Sequence, residues 1–75
     1  MFQELQEIIA EKLGLSVEEV QPQKNLKDDL KADSLDLFDL VTELEEKYSI
    51  EIPTEDLEQM VTVADVMNYI EKKAD

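Results

Sequence analysis

Asp33-Ser34-Leu35-Asp36-Leu37-Phe38-Asp39-Leu40-Val41-Thr42-Glu43-Leu44-Glu45-Glu46-Lys47-Tyr48 is the stretch on which the fold turns. At about 100° per residue, Leu37, Leu40, Val41, Leu44 and Tyr48 fall in one sector ~100° wide. Asp36, Asp39, Thr42, Glu43 and Glu46 lie on the other side. This is an amphipathic helix with a single core-facing stripe, running from about Ser34 to Tyr48. Asp33 stands where an N-cap is needed. The Ser34 hydroxyl is then spare at the positive end of the helix dipole, where a phosphate diester is favoured. Leu35 projects roughly opposite the stripe, next to Ser34 and flanked by Asp36 and Asp39, as a small apolar anchor inside a charged rim. Phe38 lies at the border of the stripe, where core packing and partner contact compete.

Upstream, Phe2, Leu5, Ile9 and Leu13 recur at helical spacing with Ile8 at the edge of the same face, and Gly14 follows where a C-terminal cap belongs. The first helix is therefore placed over residues 2 to 13. Ser16-Val17-Glu18-Glu19 has capping-box form and can add one turn. Pro22 and the polar run from Gln21 to Asn25 break any period, so residues 14 to 33 read as a long connection, unusual in so small a domain and often functional. Downstream, Ser49-Ile50-Glu51-Ile52 alternates like a strand but has no partner run, and is read as an extended connection. Pro53-Thr54-Glu55-Asp56 starts a short third helix, its early acids suiting the helix dipole. Thr62-Val63-Ala64-Asp65 caps the last helix, whose Val63, Val66, Met67 and Ile70 form one stripe and whose Lys72 and Lys73 complement its C-terminus. The expectation is an all-α fold: one domain over residues 1–75, a small antiparallel helix bundle of three longer helices plus one short third helix, with a long first loop.

Seventy-five residues are near the lower limit for a core without disulfides or metal, and two domains are excluded. Apolar residues make up 43%, with two Phe, two Tyr and no Trp, so the core must be Leu, Ile, Val and Met. The absence of Cys and His removes thiolate chemistry, imidazole bases and the usual zinc ligands. Asp28, Asp29, Asp33 and Asp36 do not match a calcium loop, which needs a central Gly and a terminal Glu. Paired-carboxylate catalysis needs a cleft that so small a core can hardly form. No catalytic residue and no dedicated metal site are expected. Neither a basic N-terminal flank nor a span-length apolar run is present, which points to the cytoplasm. Seven Lys against twenty acids give −13, a field that repels nucleic acid and anionic lipid and attracts basic surfaces. From Asp33 to Glu58 there are ten acids and one base, Lys47.

The tetrapeptide Asp33-Ser34-Leu35-Asp36, the helix that follows it to Tyr48 and the downstream Glu51-Ile52-Pro53 closely resemble the acyl carrier proteins of bacterial fatty-acid synthesis, and the resemblance runs from the first helix to the last. It implies that Ser34 carries 4'-phosphopantetheine, transferred from coenzyme A by a magnesium-dependent phosphopantetheinyl transferase. No base adjoins Ser34, so modification must be catalysed by another protein. By register, it implies that Asp33, Asp36, Asp39, Glu45 and Glu46, with Glu58 in the third helix, meet basic docking patches on fatty-acid synthesis enzymes. Leu35 and Phe38 join that face on the pattern argued above. A growing acyl chain folding back between the helices is also implied. The chain departs from the family at Lys31, where Gly is common, which bears on loop shape and transferase fit. It departs again at Thr42, often a larger apolar residue, which bears on partner preference. A monomer is expected. Two other readings stay open: a carrier for polyketide or aminoacyl transfer, and an unmodified acidic interaction module such as a DNA mimic.

Overall fold

The computed structural model describes residues 2–74. Helix α1 spans Phe2–Leu13 and buries Leu5, Ile9 and Ala10. It ends because Gly14 turns left-handed at φ 69, which lets the Leu15 amide donate back to the Ala10 carbonyl at 2.8 Å. Helix α2 spans Ser34–Tyr48 and buries Leu37, Leu40, Val41 and Leu44, with Tyr48 half-buried as the last member of the expected stripe. Helix α3 is the four-residue segment Thr54–Leu57, and helix α4 spans Val63–Ala74. Asp65 accepts from the Thr62 amide at 3.1 Å while Thr62 Oγ1 accepts from the Asp65 amide at 3.2 Å, a reciprocal cap at the expected place. Among the described residues there is no strand, and Ser49 to Ile52 is an irregular connection as its isolation implied.

Two ion pairs flank the contact between α1 and α2: Lys47 to Glu4 at 3.5 Å and Lys12 to Glu43 at 3.6 Å. Residue numbers rise along α1 as they fall along α2, so the two helices run antiparallel. Glu43 is thus turned toward α1 rather than standing on the open face where the helical wheel put it. Both pairs are partly solvated and fix orientation more than they add stability. Stability comes from the apolar interior, in which Leu5, Ile9, Val20, Leu40, Leu44, Val63 and Ile70 are almost completely buried.

The connection between α1 and α2 is packed rather than loose. A single 3-10 turn, Val17–Glu19, forms where the Ser16 capping pattern predicts it, with the Glu19 carboxylate accepting from the Ser16 amide at 2.9 Å and the Ser16 hydroxyl at 3.2 Å. Val20, Leu26, Leu30 and Ala32 then enter the core, with no helical period to announce them. Asn25 organises this segment: its side-chain oxygen accepts from the Lys27 and Asp28 amides, and its own amide donates to Asp29 at 2.7 Å. The Leu26 amide donates to Val61 and the Val63 amide to Lys24, which stitches the connection to the approach of α4 around an isolated bridge between Asn25 and Thr62. Lys31, at the end of the connection, sits left-handed at φ 60. A residue without a Cβ adopts that conformation freely, which explains why glycine suits this place and lysine is strained there.

Candidate functional site at the start of α2

Ser34 is exposed at the first turn of α2. Its hydroxyl is spare because its neighbours do the capping: Asp33 Oδ1 accepts from the Asp36 amide at 2.9 Å, and Asp36 Oδ2 accepts from the Asp33 amide at 3.4 Å. The other two serines are placed differently. Ser16 donates its hydroxyl to Glu19 at 3.2 Å, and Ser49 closes α2 in a left-handed conformation at φ 55.

Leu35 and Phe38 stand out from the surface beside Ser34, 77% and 69% exposed. The helical wheel left Phe38 undecided, and it faces solvent. With Asp39, Thr42 and Glu46, all exposed, they form a continuous outer stripe along α2 at i, i+3, i+4, i+7 and i+11.

The acids expected at this face are not equivalent. Asp39 and Glu46 extend into solvent. Asp33 and Asp36 share the cap, so their carboxylates also hold the helix start. Glu45 is half-buried, and its Oε2 accepts from the Ile52 amide at 2.8 Å. That carboxylate ties the connection after α2 back to the helix as well as contributing charge. Glu58 is exposed, but it lies past the end of α3 and outside the α2 stripe.

A small cleft of about 110 Å³ lies between α2 and the segment ending in α3, lined by Phe38, Val41, Thr42, Glu45, Ile52, Thr54 and Leu57. Thr42 shows it a reduced polarity because its hydroxyl donates to the Phe38 carbonyl at 2.9 Å. On the far side of α3, Tyr69 of α4 donates its hydroxyl to Asp56 Oδ2 at 2.7 Å and lies 3.3 Å from the Glu51 carbonyl oxygen. Its phenol is pushed up to about 12 by desolvation first, then by the hydrogen bond and charge of Asp56 and by Glu45. It therefore remains a donor throughout the neutral range. No helical or capping pattern in the sequence marks this contact or that of Glu45, since the first joins two different helices and the second joins α2 to the irregular connection that follows it.

Chemically, the α2 start offers an exposed hydroxyl beside helix N-terminal amides, with no cluster of metal-ligating side chains among the described residues. The geometry fits a phosphodiester: Ser34 is uncovered, and the helix end favours an anion. The family model described as the phosphopantetheine attachment site matches residues 3–70. The acyl carrier protein of Exiguobacterium sp. is 50% identical over 93% of this chain and 89% of its own length. That of Wolinella succinogenes is 46% identical over 95% and 93%. Among solved structures, an acyl carrier protein from Enterococcus faecalis, studied for its high thermal stability, superposes with a TM-score of 0.81 at 36% identity, covering 96% of this chain and 91% of that one. With both sequence and architecture matched along nearly its whole length, the chain belongs to the acyl carrier protein family, whose hallmark is the phosphopantetheine attachment site.

Proposed function

We propose that this chain holds growing acyl groups on a 4'-phosphopantetheine arm attached to Ser34 and presents them to the enzymes of fatty-acid synthesis. The observation that carries this reading is the spare Ser34 hydroxyl, exposed at the α2 start while Asp33 and Asp36 do the capping. The arm supplies the thiol on which acyl groups ride as thioesters. The chain's own residues do the rest: Ser34 gives the attachment oxygen, α2 places it at one end of the bundle, and Leu35, Phe38, Asp39 and Glu46 surround it with a docking face. A carrier must bind and release many enzymes in turn, so weak, rapid, charge-steered docking to basic patches is the suitable design. The Asp33, Asp36, Glu45 and Glu58 carboxylates add to the field of that face. The work is done in the cytoplasm by a monomer, and modification is catalysed by a phosphopantetheinyl transferase that draws the arm from coenzyme A. Incubation with coenzyme A, magnesium and a broad-specificity transferase should add one phosphopantetheine. A chain left unmodified by an active transferase would return the case to an unmodified acidic module. Which acyl groups then load separates a fatty-acid carrier from one serving polyketide or aminoacyl transfer.

A further inference from the structure

The cleft between α2 and α3, at about 110 Å³, falls well below the ~300–1,000 Å³ of ordinary small-molecule sites. An acyl chain of more than a few carbons enters only if one wall moves. The α2 wall cannot easily do so: Leu37, Leu40, Val41 and Leu44 are core residues, and ion pairs flank its contact with α1. The α3 wall is four residues long and contains no buried residue. It is anchored at its ends by the buried Ile52 and Met60. Three polar contacts close the segment: the Ile52 amide donates to the Glu45 carboxylate at 2.8 Å, and the Tyr69 hydroxyl reaches Asp56 Oδ2 at 2.7 Å and the Glu51 carbonyl oxygen at 3.3 Å. Only the Tyr69–Asp56 contact holds α3 itself to another helix by a side-chain hydrogen bond among the described residues.

We propose that Tyr69 is a positioning residue that latches α3 closed, and that the strength of the Tyr69–Asp56 contact sets how readily the cleft widens and how long an acyl chain it admits. The acyl half of this inference rests on the carrier reading; the latch itself does not. Tyr69→Phe removes the hydroxyl and keeps the ring, including its place under the Lys73 ammonium, 5.6 Å from the ring centre.

The test has two arms. In the unmodified protein, amide hydrogen exchange at Leu57 and Glu58, whose amides donate to Pro53 and Thr54, should accelerate about tenfold in Tyr69→Phe, the scale of one hydrogen bond to a charged group. Exchange at Leu40 and Leu44 should not change. Asp56→Ala should accelerate exchange at Leu57 and Glu58 too, by no more than Tyr69→Phe does because the Glu51 carbonyl can still accept from the hydroxyl, and the double variant should exceed Tyr69→Phe by little. In the second arm, the thiol of a phosphopantetheine arm attached to Ser34 is loaded with an octanoyl or an acetyl group, and the thioester is cleaved with hydroxylamine. Tyr69→Phe should slow octanoyl cleavage severalfold, because the longer chain is sheltered more often, and leave acetyl cleavage unchanged. Parent-like exchange at α3, or acceleration spread equally over α1 and α2, overturns the latch. Unchanged octanoyl cleavage with faster α3 exchange overturns its role in admitting the chain. Failure of Ser34 to load at all counts against the carrier reading, while the exchange arm still decides the latch.

Discussion

At the scale of single residues, two positions are held in a backbone conformation their side chains resist. Lys31 at φ 60 and Ser49 at φ 55 are both left-handed, where a Cβ crowds the following carbonyl. Lys31→Gly and Ser49→Gly should each raise stability by about 0.5–1 kcal/mol, the relief of strain outweighing the entropy of a freer unfolded chain. Thermal melts of each variant check this, and a loss of stability in either would mean the conformation is relaxed. A third residue, Asp65, contributes a pH dependence. Backbone hydrogen bonds from Thr62 and Val61 hold its carboxyl below the usual value, through contacts of 3.1 and 3.0 Å. A depressed folded pKa means that its stabilisation is present above the unfolded value and is lost as pH falls through the folded one. Asp65→Asn should therefore destabilise at neutral pH, and the gap from the parent should close in acid. A gap constant from pH 7 to pH 2 in denaturant titrations would show that the carboxylate charge is not what the cap uses.

At the scale of elements, α2 carries both the serine proposed for attachment and the stripe proposed for docking, and its acids divide by what else they hold. Asp39→Lys and Glu46→Lys should slow association with a partner enzyme about three- to tenfold at low salt, with no loss of stability. Glu45→Lys should slow it as well and also cost about 1–2 kcal/mol, because the Ile52 amide loses its acceptor. Stopped-flow association beside thermal melts separates the two classes; equal stability losses at Asp39 and Glu45 would contradict the division. Much of the helical framework was legible in the sequence. The Asp33 cap, the stripe from Leu37 to Tyr48 and the Thr62–Asp65 cap are local patterns, settled by residues three or four apart. What the sequence could not supply is non-local or aperiodic. Phe38 sits on a sector border where the helical wheel is silent, and Glu43 is turned by Lys12 from another helix. Val20, Leu26, Leu30 and Ala32 enter the core from a connection with no period. The left-handed turn at Lys31 was invisible in the lysine itself, although the family's preference for glycine there pointed at the loop.

At the scale of the whole molecule, −13 on 75 residues is balanced by few contacts: the two ion pairs between α1 and α2 among the described residues. Self-repulsion in the compact state opposes folding and is relieved by screening. Sodium chloride, and more strongly millimolar magnesium, should raise the melting temperature by several degrees at pH 7, saturating as screening completes. A melt indifferent to both would mean that the acids are better compensated than these contacts allow. The same field suits a molecule that must be drawn to many basic surfaces and let go again, which is the work proposed for it. The most direct test of that work is intact-mass and peptide mapping after incubation with coenzyme A, magnesium and a broad-specificity transferase. One phosphopantetheine is expected on the peptide bearing Ser34, and none on a Ser34→Ala variant with parent-like circular dichroism. Addition at Ser16 or Ser49, or no addition with a transferase active on a control carrier, would contradict the carrier reading.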